Sequence, residues 1–346
     1  MSDRSKLNWK MLSEYRLQIF GFSIISVMVF HFFMDMYRHY SDGIFRDLSK
    51  GYIFLIGSIG VEIFLFLSGM GLYFSMSRNN NIGQFYRKRF QRVLIPYLIW
   101  GLIFWLWSDI FIAHKSVRRF LIDYTTISTW TQGKRVMWYV NFILVMYLLF
   151  PILFQFLRKE KPHRGIRTAI LVCVSFGLTI AMKFIFKDIY KNIEIELYRI
   201  PIFIIGVYYG KAIAEERKLS KIDISLIVFG ILLKIGYALG KLGIVPYLNK
   251  IPARMVQCFY CLIIMFIFAV IAKICINTKI NTVLTFCGKY SFELYITHMA
   301  IRSIMNRYGI STYKIQNYLI CIIASVLCSI ALSKATNLIL KTAKKA

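Results

Sequence analysis

Long apolar segments recur along the whole chain, and they constrain its fold more than any other feature. In hydrocarbon every backbone polar group needs an internal partner, so only helices and closed barrels can span a membrane. The alternating pattern of barrel strands is missing from the sequence, and a spanning helix needs about 20 apolar residues. Ten segments are candidates, although the sixth is short and the ninth is unusually polar: 17–37, 51–76, 93–113, 137–157, 168–186, 200–214, 224–240, 255–274, 284–305 and 318–338.

The charge of the chain fits a membrane protein better than a nucleic-acid-binding one. There are 44 Lys and Arg against 16 Asp and Glu, but the basic residues form short clusters between apolar runs rather than a solvated domain. More of them lie in the N-terminus, the even-numbered loops and the C-terminus than in the other loops. The sequence therefore predicts one transmembrane domain, 1–346, with a cytoplasmic N-terminal segment (1–16) and a cytoplasmic basic tail (339–346).

Several ionisable side chains lie within the predicted spans, where each costs about 2.5–3.5 kcal/mol or more. Asp35 is close enough to a span end to reach headgroups, whereas Lys234 is deep and has no evident partner. Four others fit no such explanation, and we expect them to converge on a polar interior. These four are His31, Glu62, Glu293 and His298. The seven cysteines lack metal-ligand spacing, and no metal site is predicted.

The ninth predicted span carries a polar stripe. In "GKYSFELYITHMAIRSI", Ser291, Tyr295 and His298 are spaced by four and three residues, which places them on one helix face, and Arg302 continues it. The opposite positions are apolar. This pattern indicates the wall of an internal site, so the sequence predicts an all-α integral membrane protein of about ten transmembrane helices around a polar interior.

A basic cluster precedes the third span. The segment "GQFYRKRFQRVLIPYLIW" contains Arg87, Lys88, Arg89 and Arg92. One interpretation is a topology anchor on anionic headgroups. The other is a phosphate-binding clamp, since each guanidinium offers a planar fork to phosphate oxygens. An acyl-coenzyme A is a cytoplasmic donor with several phosphates that fits the second interpretation.

Six motifs in order resemble the acyltransferase family 3, integral-membrane proteins that transfer acyl groups, often acetyl, to cell-surface carbohydrates. "GFSIISVMVFHFF" is similar to the first family helix with its histidine, and "GVEIFLFLSGMGLYFS" to the second, with Glu62 and Ser68. The basic loop running into Pro-Tyr is the third. The others are "MWYVNFILVMYLLFPIL" with Trp138 and Tyr139, "RIPIFIIGVYYG" with Arg199, and "GKYSFELYITHM" with Ser291, Tyr295 and His298.

One position departs from the family pattern. The family places an Arg eleven residues before the first-helix histidine, and that position here is Phe20. Arg16 lies fifteen residues before His31, one turn lower on roughly the same side of the helix. Arg16 is therefore the candidate to replace the family arginine.

The resemblance implies an acyl-coenzyme A-dependent O-acyltransferase of the cell membrane, of the bacterial plasma membrane in particular. Acetyl-CoA is the expected donor, a carbohydrate hydroxyl the expected acceptor, and no cofactor is tightly bound. His31 is the candidate general base and Glu62 the group that orients it. Arg87, Arg89 and Arg92 are assigned to the donor. Substrate contacts are assigned to Arg16, Ser68, Trp138, Tyr139, Arg199, Ser291, Glu293, Tyr295 and His298.

The alternative is a non-catalytic carbohydrate transporter or exporter on the same fold. It also needs a polar interior with aromatic side chains. His31 and Glu62 favour the enzyme, since a sugar conduit needs hydrogen bonds but no titratable base.

Overall fold

The structure is a computed structural model that describes the backbone of residues 8–158 and 163–345 and side chains up to residue 343. Residues 1–7 of the predicted N-terminal segment and the end of the predicted basic tail lie outside this description. The described chain is helical almost throughout, with a single isolated bridge between Asn8 and Lys218. The prediction of an all-α membrane protein is confirmed.

Sixteen α-helices follow one another in the described chain, with one π-helical stretch and one 3₁₀ turn. The first eight are α1 (Lys10–Glu14), α2 (Arg16–His39), α3 (Gly43–Leu55), α4 (Ile59–Arg78), α5 (Ile82–Trp105, continued by the π-helix Leu106–Ile112), α6 (Val117–Tyr124), α7 (Ile127–Gln132) and α8 (Trp138–Leu157). The others are α9 (Arg164–Ile185), α10 (Lys187–Leu197), α11 (Ile200–Ala214), α12 (Lys221–Lys241, followed by the 3₁₀ turn Pro246–Lys250), α13 (Ala253–Ile274), α14 (Lys279–Lys289), α15 (Ser291–Arg307) and α16 (Ile315–Lys345).

Nine helical segments within the described residues are long and apolar enough to cross a membrane. Two predicted spans are interrupted. The span 284–305 is divided at Tyr290 into α14 and α15, of 11 and 17 residues. The span 51–76 is divided between α3 and α4 at Gly57, whose φ of +52° is a left-handed conformation that favours glycine.

Close helix packing brings α4 against α11 in the middle of the bundle. A Cβ atom at Gly69 would collide with the carbonyl oxygen of Phe203, and one at Gly206 would collide with that of Phe66. Small residues allow such backbone contact between membrane helices. This packing fixes one wall of the interior, because α4 carries Glu62 and Ser68.

Ion pairs and aromatic rings explain two charges that the sequence left open. The Lys234 ammonium donates to the carbonyl of Phe54 and lies 4.3 Å from the centre of the Phe54 ring and 5.3 Å from that of Tyr260. The two aromatic rings therefore stabilise the Lys234 ammonium through cation–π contacts. Asp35 pairs with Arg302 of α15 and does not serve as a headgroup contact.

The helix bundle has two ends, called the basic end and the far end. The basic end contains the start of α2, the start of α5 and the last turns of α16. The far end contains the last turn of α2 and the loop between α15 and α16.

Candidate active site

A narrow cavity lies inside the bundle, between α2, α4, α5, α8 and α15. Seven of the predicted site residues line it, together with apolar side chains that include Phe20, Val27 and Phe64. The structure therefore gathers residues that are far apart in the sequence around one space. The seven are Arg16, Ser68, Arg89, Arg92, Tyr139, Ser291 and Tyr295.

Positive charge dominates the inner cavity. Arg16, Arg89 and Arg92 all line it, and none of the described lining residues is acidic. Arg16 donates one hydrogen bond, at 3.4 Å, to the carbonyl of Leu67. The Nε atoms of Arg16 and Arg89 are buried and have no hydrogen-bond partner among the described residues. Buried polar groups are rarely left unpaired, so this cavity is suited to an anionic ligand.

A wider basin of about 790 Å³ adjoins the inner cavity at the basic end. The two spaces share Arg92, Ser291 and Phe292 as lining residues. Arg87 and Glu293 line only the basin, as do Lys88 and Lys289 and side chains from the last turns of α16. The predicted basic cluster therefore faces these two adjoining spaces, which together are called the funnel, and Arg92 lines both.

Two histidines lie beyond the other end of the inner cavity. His31 is one helical turn past Val27 on α2, and His298 is three residues past Tyr295 on α15. Their ring centres are 5.8 Å apart. Since the neighbours Val27 and Tyr295 line the cavity, the histidine pair lies at its inner end.

The two histidines differ in how they are held. His298 is fully buried, with Nε2 3.2 Å from the Tyr318 hydroxyl and Nδ1 3.8 Å from the Cys321 sulfur. His31 is half-buried, and no residue in the described part of the chain hydrogen-bonds to its ring. A fixed His298 beside an unengaged His31 leaves His31 as the ring that can exchange a proton with a substrate.

Glu62 lies elsewhere. Its carboxylate is buried and pairs with the Arg199 guanidinium, at 2.9 Å between Oε1 and the nearest guanidinium nitrogen. Arg199 also donates to the Ser58 hydroxyl and to the carbonyl of Ile195, each at 2.8 Å. The prediction that Glu62 orients the His31 ring does not match this arrangement, because the carboxylate is engaged by a buried cation that it must neutralise.

The same arginine contacts Trp138. The Arg199 guanidinium carbon is 5.0 Å from the centre of the indole, which is buried. This cation–π contact uses the ring face that a sugar needs for stacking. Tyr139, the next residue, instead points to the inner cavity and packs edge-on against Tyr295 at 5.3 Å. Substrate contacts of Trp138 and Arg199 remain predictions.

The sequence profile of the acyltransferase family 3, described as an acyltransferase domain, matches residues 21–334. The chain belongs to this family. It is also 27% identical over 143 residues to the acyltransferase MdmB of Streptomyces mycarofaciens, an alignment that covers 36% of this chain and 37% of that relative. No solved structure matches the chain. Family membership and the apolar helices of the described residues are those of a multi-pass membrane protein.

The structure also shows a cavity residue and a contact that the sequence did not predict. Tyr147 lines the inner cavity beside the arginines. It follows Tyr139 and Ile143 at intervals of four, so the shared helix face was a usable signal. The ion pair between Asp35 and Arg302 had no such signal, because its partners are 267 residues apart.

Proposed function

We propose that this membrane acyltransferase transfers an acetyl or other short acyl group from acyl-CoA to a hydroxyl of a cell-surface polysaccharide or its lipid-linked precursor. The observation that supports this most directly is the inner cavity. Three guanidinium groups and no carboxylate line it, and the histidine pair follows the lining residues Val27 and Tyr295 by about one helical turn. Such a space suits a substrate with phosphates at one end and an acyl group at the other.

Acyl-CoA fits the funnel in one orientation. Its phosphates lie in the basin and at the junction, where Arg87, Arg89 and Arg92 offer bidentate hydrogen bonds. Its narrow pantetheine arm extends through the inner cavity past Ser68 and Tyr139. The thioester then reaches the level of His31. Arg16 adds positive charge at the phosphate end in the place of the usual family arginine.

The reaction needs one base. His31 accepts the proton of the sugar hydroxyl as its oxygen attacks the thioester carbonyl carbon. When the tetrahedral intermediate collapses, the carbon–sulfur bond breaks, and the proton passes from the imidazolium to the leaving thiolate. The products are the acyl ester and free CoA. His298, held by Tyr318 with its ring centre 5.8 Å from that of His31, is assigned to the acceptor side of the reaction.

This proposal places the basic end at the cytoplasm, where acyl-CoA occurs. The Lys and Arg bias towards the same side supports this orientation, with both termini cytoplasmic, in a bacterial plasma membrane. The acceptor, a cell-surface carbohydrate, then comes from the far end.

The test is acyl transfer from radiolabelled acetyl-CoA to surface polysaccharide isolated from cells that lack the protein. Membranes with matched protein levels are compared for the native chain, His31→Gln and the control His114→Asn, which changes an exposed loop histidine. General-base catalysis contributes about 10²–10⁴-fold, so His31→Gln should lose activity on that scale and the control should not. Near-native transfer by His31→Gln would show that the imidazole is structural. Glycan export without acylation would instead identify a transporter.

A further inference from the structure

A second cleft opens at the far end of the bundle, and the proposed donor site does not use it. It has a volume of about 280 Å³. The last turn of α2 and the loop between α15 and α16 form its walls. Seven of its residues are polar or aromatic: Asp35, Arg38, His39, Asn306, Ser311, Thr312 and Tyr313.

The floor of this cleft is a buried ion pair. Arg302 donates from Nε to Oδ2 of Asp35 at 2.7 Å and from its terminal nitrogen to Oδ1. The Thr312 hydroxyl donates to the same carboxylate at 2.6 Å and is also 2.8 Å from Oδ1 of Asn306. The side chains of Asp35 and Arg302 are only 10% and 12% exposed. The pair thus ties α2, α15 and the loop together.

The ion pair lies directly above the histidine pair. Asp35 is four residues after His31 on α2, and Arg302 is four residues after His298 on α15. Residues four apart occupy the same face of a helix, about one turn or 6 Å further along. Asp35 and Arg302 therefore lie one helical turn beyond the histidines, on the side of the far-end cleft.

A transferase with one donor funnel needs a separate path for its acceptor. When the donor occupies the basin and the inner cavity, a carbohydrate cannot pass it. The far-end cleft offers hydroxyl, amide, carboxylate and guanidinium groups for the hydroxyls of a sugar, and the Tyr313 ring, stacked on His39 with ring centres 3.5 Å apart, provides a flat wall. A largely buried ion pair is costly to keep when only packing is required.

We propose that the far-end cleft binds the carbohydrate acceptor and that the Asp35–Arg302 pair is a barrier between this cleft and His31, which opens to admit the acceptor hydroxyl. This inference rests on the proposed function for the identity of the acceptor, but the barrier itself is testable without any acyl donor.

The native Cys321 reports on the barrier, because its sulfur is fully buried beside His298. A charged, membrane-impermeant methanethiosulfonate reagent is applied from one side of the membrane at a time, and modified peptides are identified by mass spectrometry. In the native protein, Cys321 should react slowly from the far side. Asp35→Asn and Arg302→Gln should raise that rate about tenfold or more, and Cys321→Ala gives the background.

Two further variants distinguish opening of the barrier from misfolding of the protein. Thr312→Val keeps the ion pair but removes one of its hydrogen bonds, so it should raise the labelling rate by only about threefold. The charge exchange of Asp35→Arg with Arg302→Asp should return the rate towards the native value. Unchanged labelling in every variant, or labelling from the basic end alone, would contradict the proposal that the Asp35–Arg302 pair is a barrier.

The acceptor part of the inference is tested in the transfer assay with the same isolated polysaccharide. Asn306→Ala should raise KM for the polysaccharide about threefold to tenfold and leave KM for acetyl-CoA unchanged. A change confined to the donor KM, or none in either, would overturn the acceptor site. Absence of transfer by the native protein contradicts the proposed function instead, and the labelling result stands independently of it.

Discussion

Two charged regions of the molecule are neutralised in opposite ways. Near the far end, Asp123 is fully buried and contacts both Lys134 and Lys115, and Lys115 also pairs with Asp109 at 2.6 Å. Two carboxylates therefore meet two ammonium groups. In the inner cavity, by contrast, no described lining residue supplies a carboxylate to Arg16, Arg89 and Arg92, although Glu293 lines the adjoining basin together with Arg92.

The difference distinguishes ion pairs that stabilise the fold from cationic side chains that we expect to bind a ligand. A buried ion pair is destabilising to break because its partner stays behind uncompensated. Like charges gathered without a counter-ion repel one another, which costs stability until an anion binds. The compensated cluster around Asp123 is therefore expected to affect stability, and the cavity arginines are expected to affect donor binding.

The largest effect is expected for the double variant Arg89→Ala with Arg92→Ala. Hydrogen bonds to charged groups contribute about 1.5–3 kcal/mol each, so kcat/KM for acetyl-CoA should fall by about two orders of magnitude or more. Thermal stability in detergent should stay the same or rise, because like-charge repulsion is relieved. Replacement by Lys should restore activity only in part, since an ammonium lacks the planar fork. Native kinetics in the Ala variant would assign both residues to headgroup anchoring.

The compensated cluster should show the reverse pattern. Asp123→Asn leaves Lys134 and Lys115 with one carboxylate fewer, and we expect a loss of about 1–3 kcal/mol in the free energy of unfolding. The two ammonium groups are partly exposed, which keeps the loss below that of a fully buried pair. Thermal unfolding in detergent measures it, with Arg119→Gln on the exposed face of the same helix as the control. A larger effect on acetyl-CoA KM than on stability would remove the contrast between the regions.

The pH dependence of stability tests the same cluster at a smaller scale. Burial raises the pKa of Asp123, but hydrogen bonds with Asp109, Lys134 and Ser128 outweigh it and hold the pKa below its ordinary value. A lowered pKa means that the folded state binds this proton less readily than the unfolded state. The stabilisation is therefore present above the unfolded pKa of about 3.9 and is lost as the pH falls towards the folded pKa.

Unfolding midpoints measured between about pH 5 and pH 3 should accordingly decline more steeply for the native protein than for Asp123→Asn, which has no carboxyl to protonate at this position. Parallel declines in the two proteins would mean that other carboxylates account for the acid sensitivity.

The sequence predicted helices well where hydropathy changes sharply and poorly where it does not. The span 200–214 agrees with α11 to the residue, since charged or turn-forming residues flank it. Lys289 and Ser291 interrupt the apolar pattern only briefly at Tyr290, and apolar residues resume at Phe292, so the division of α14 from α15 was not predicted. The π-helical stretch after Trp105 was hidden in the same way.

Site membership was predictable from residue type, but pairing was not. An acid in a membrane helix needs a partner, and Glu62 could have faced His31 or any of several cations. Only the packing of α4 against α11 brings it to Arg199, 137 positions along the chain. Likewise, the guanidinium of Arg302 and the carboxylate of Asp35 were both visible as charges near span ends, but their contact depends on the crossing of α2 and α15.

The smallest effect is expected for Arg87→Ala, which sharpens the contrast between rim and interior within the proposed donor site. Arg87 is exposed and lines only the wide basin, whereas Arg89 is half-buried in the inner cavity. At 0.15 M ionic strength the Debye length is about 8 Å, so an exposed charge acts weakly on the donor phosphates. KM for acetyl-CoA should rise by about threefold at low salt and by less than about twofold at 0.5 M salt.

Lys88→Ala, from the same rim, is the matched comparison. A loss in Arg87→Ala as large as that in Arg89→Ala, and insensitive to salt, would move the phosphate contacts from the inner cavity to the rim of the basin.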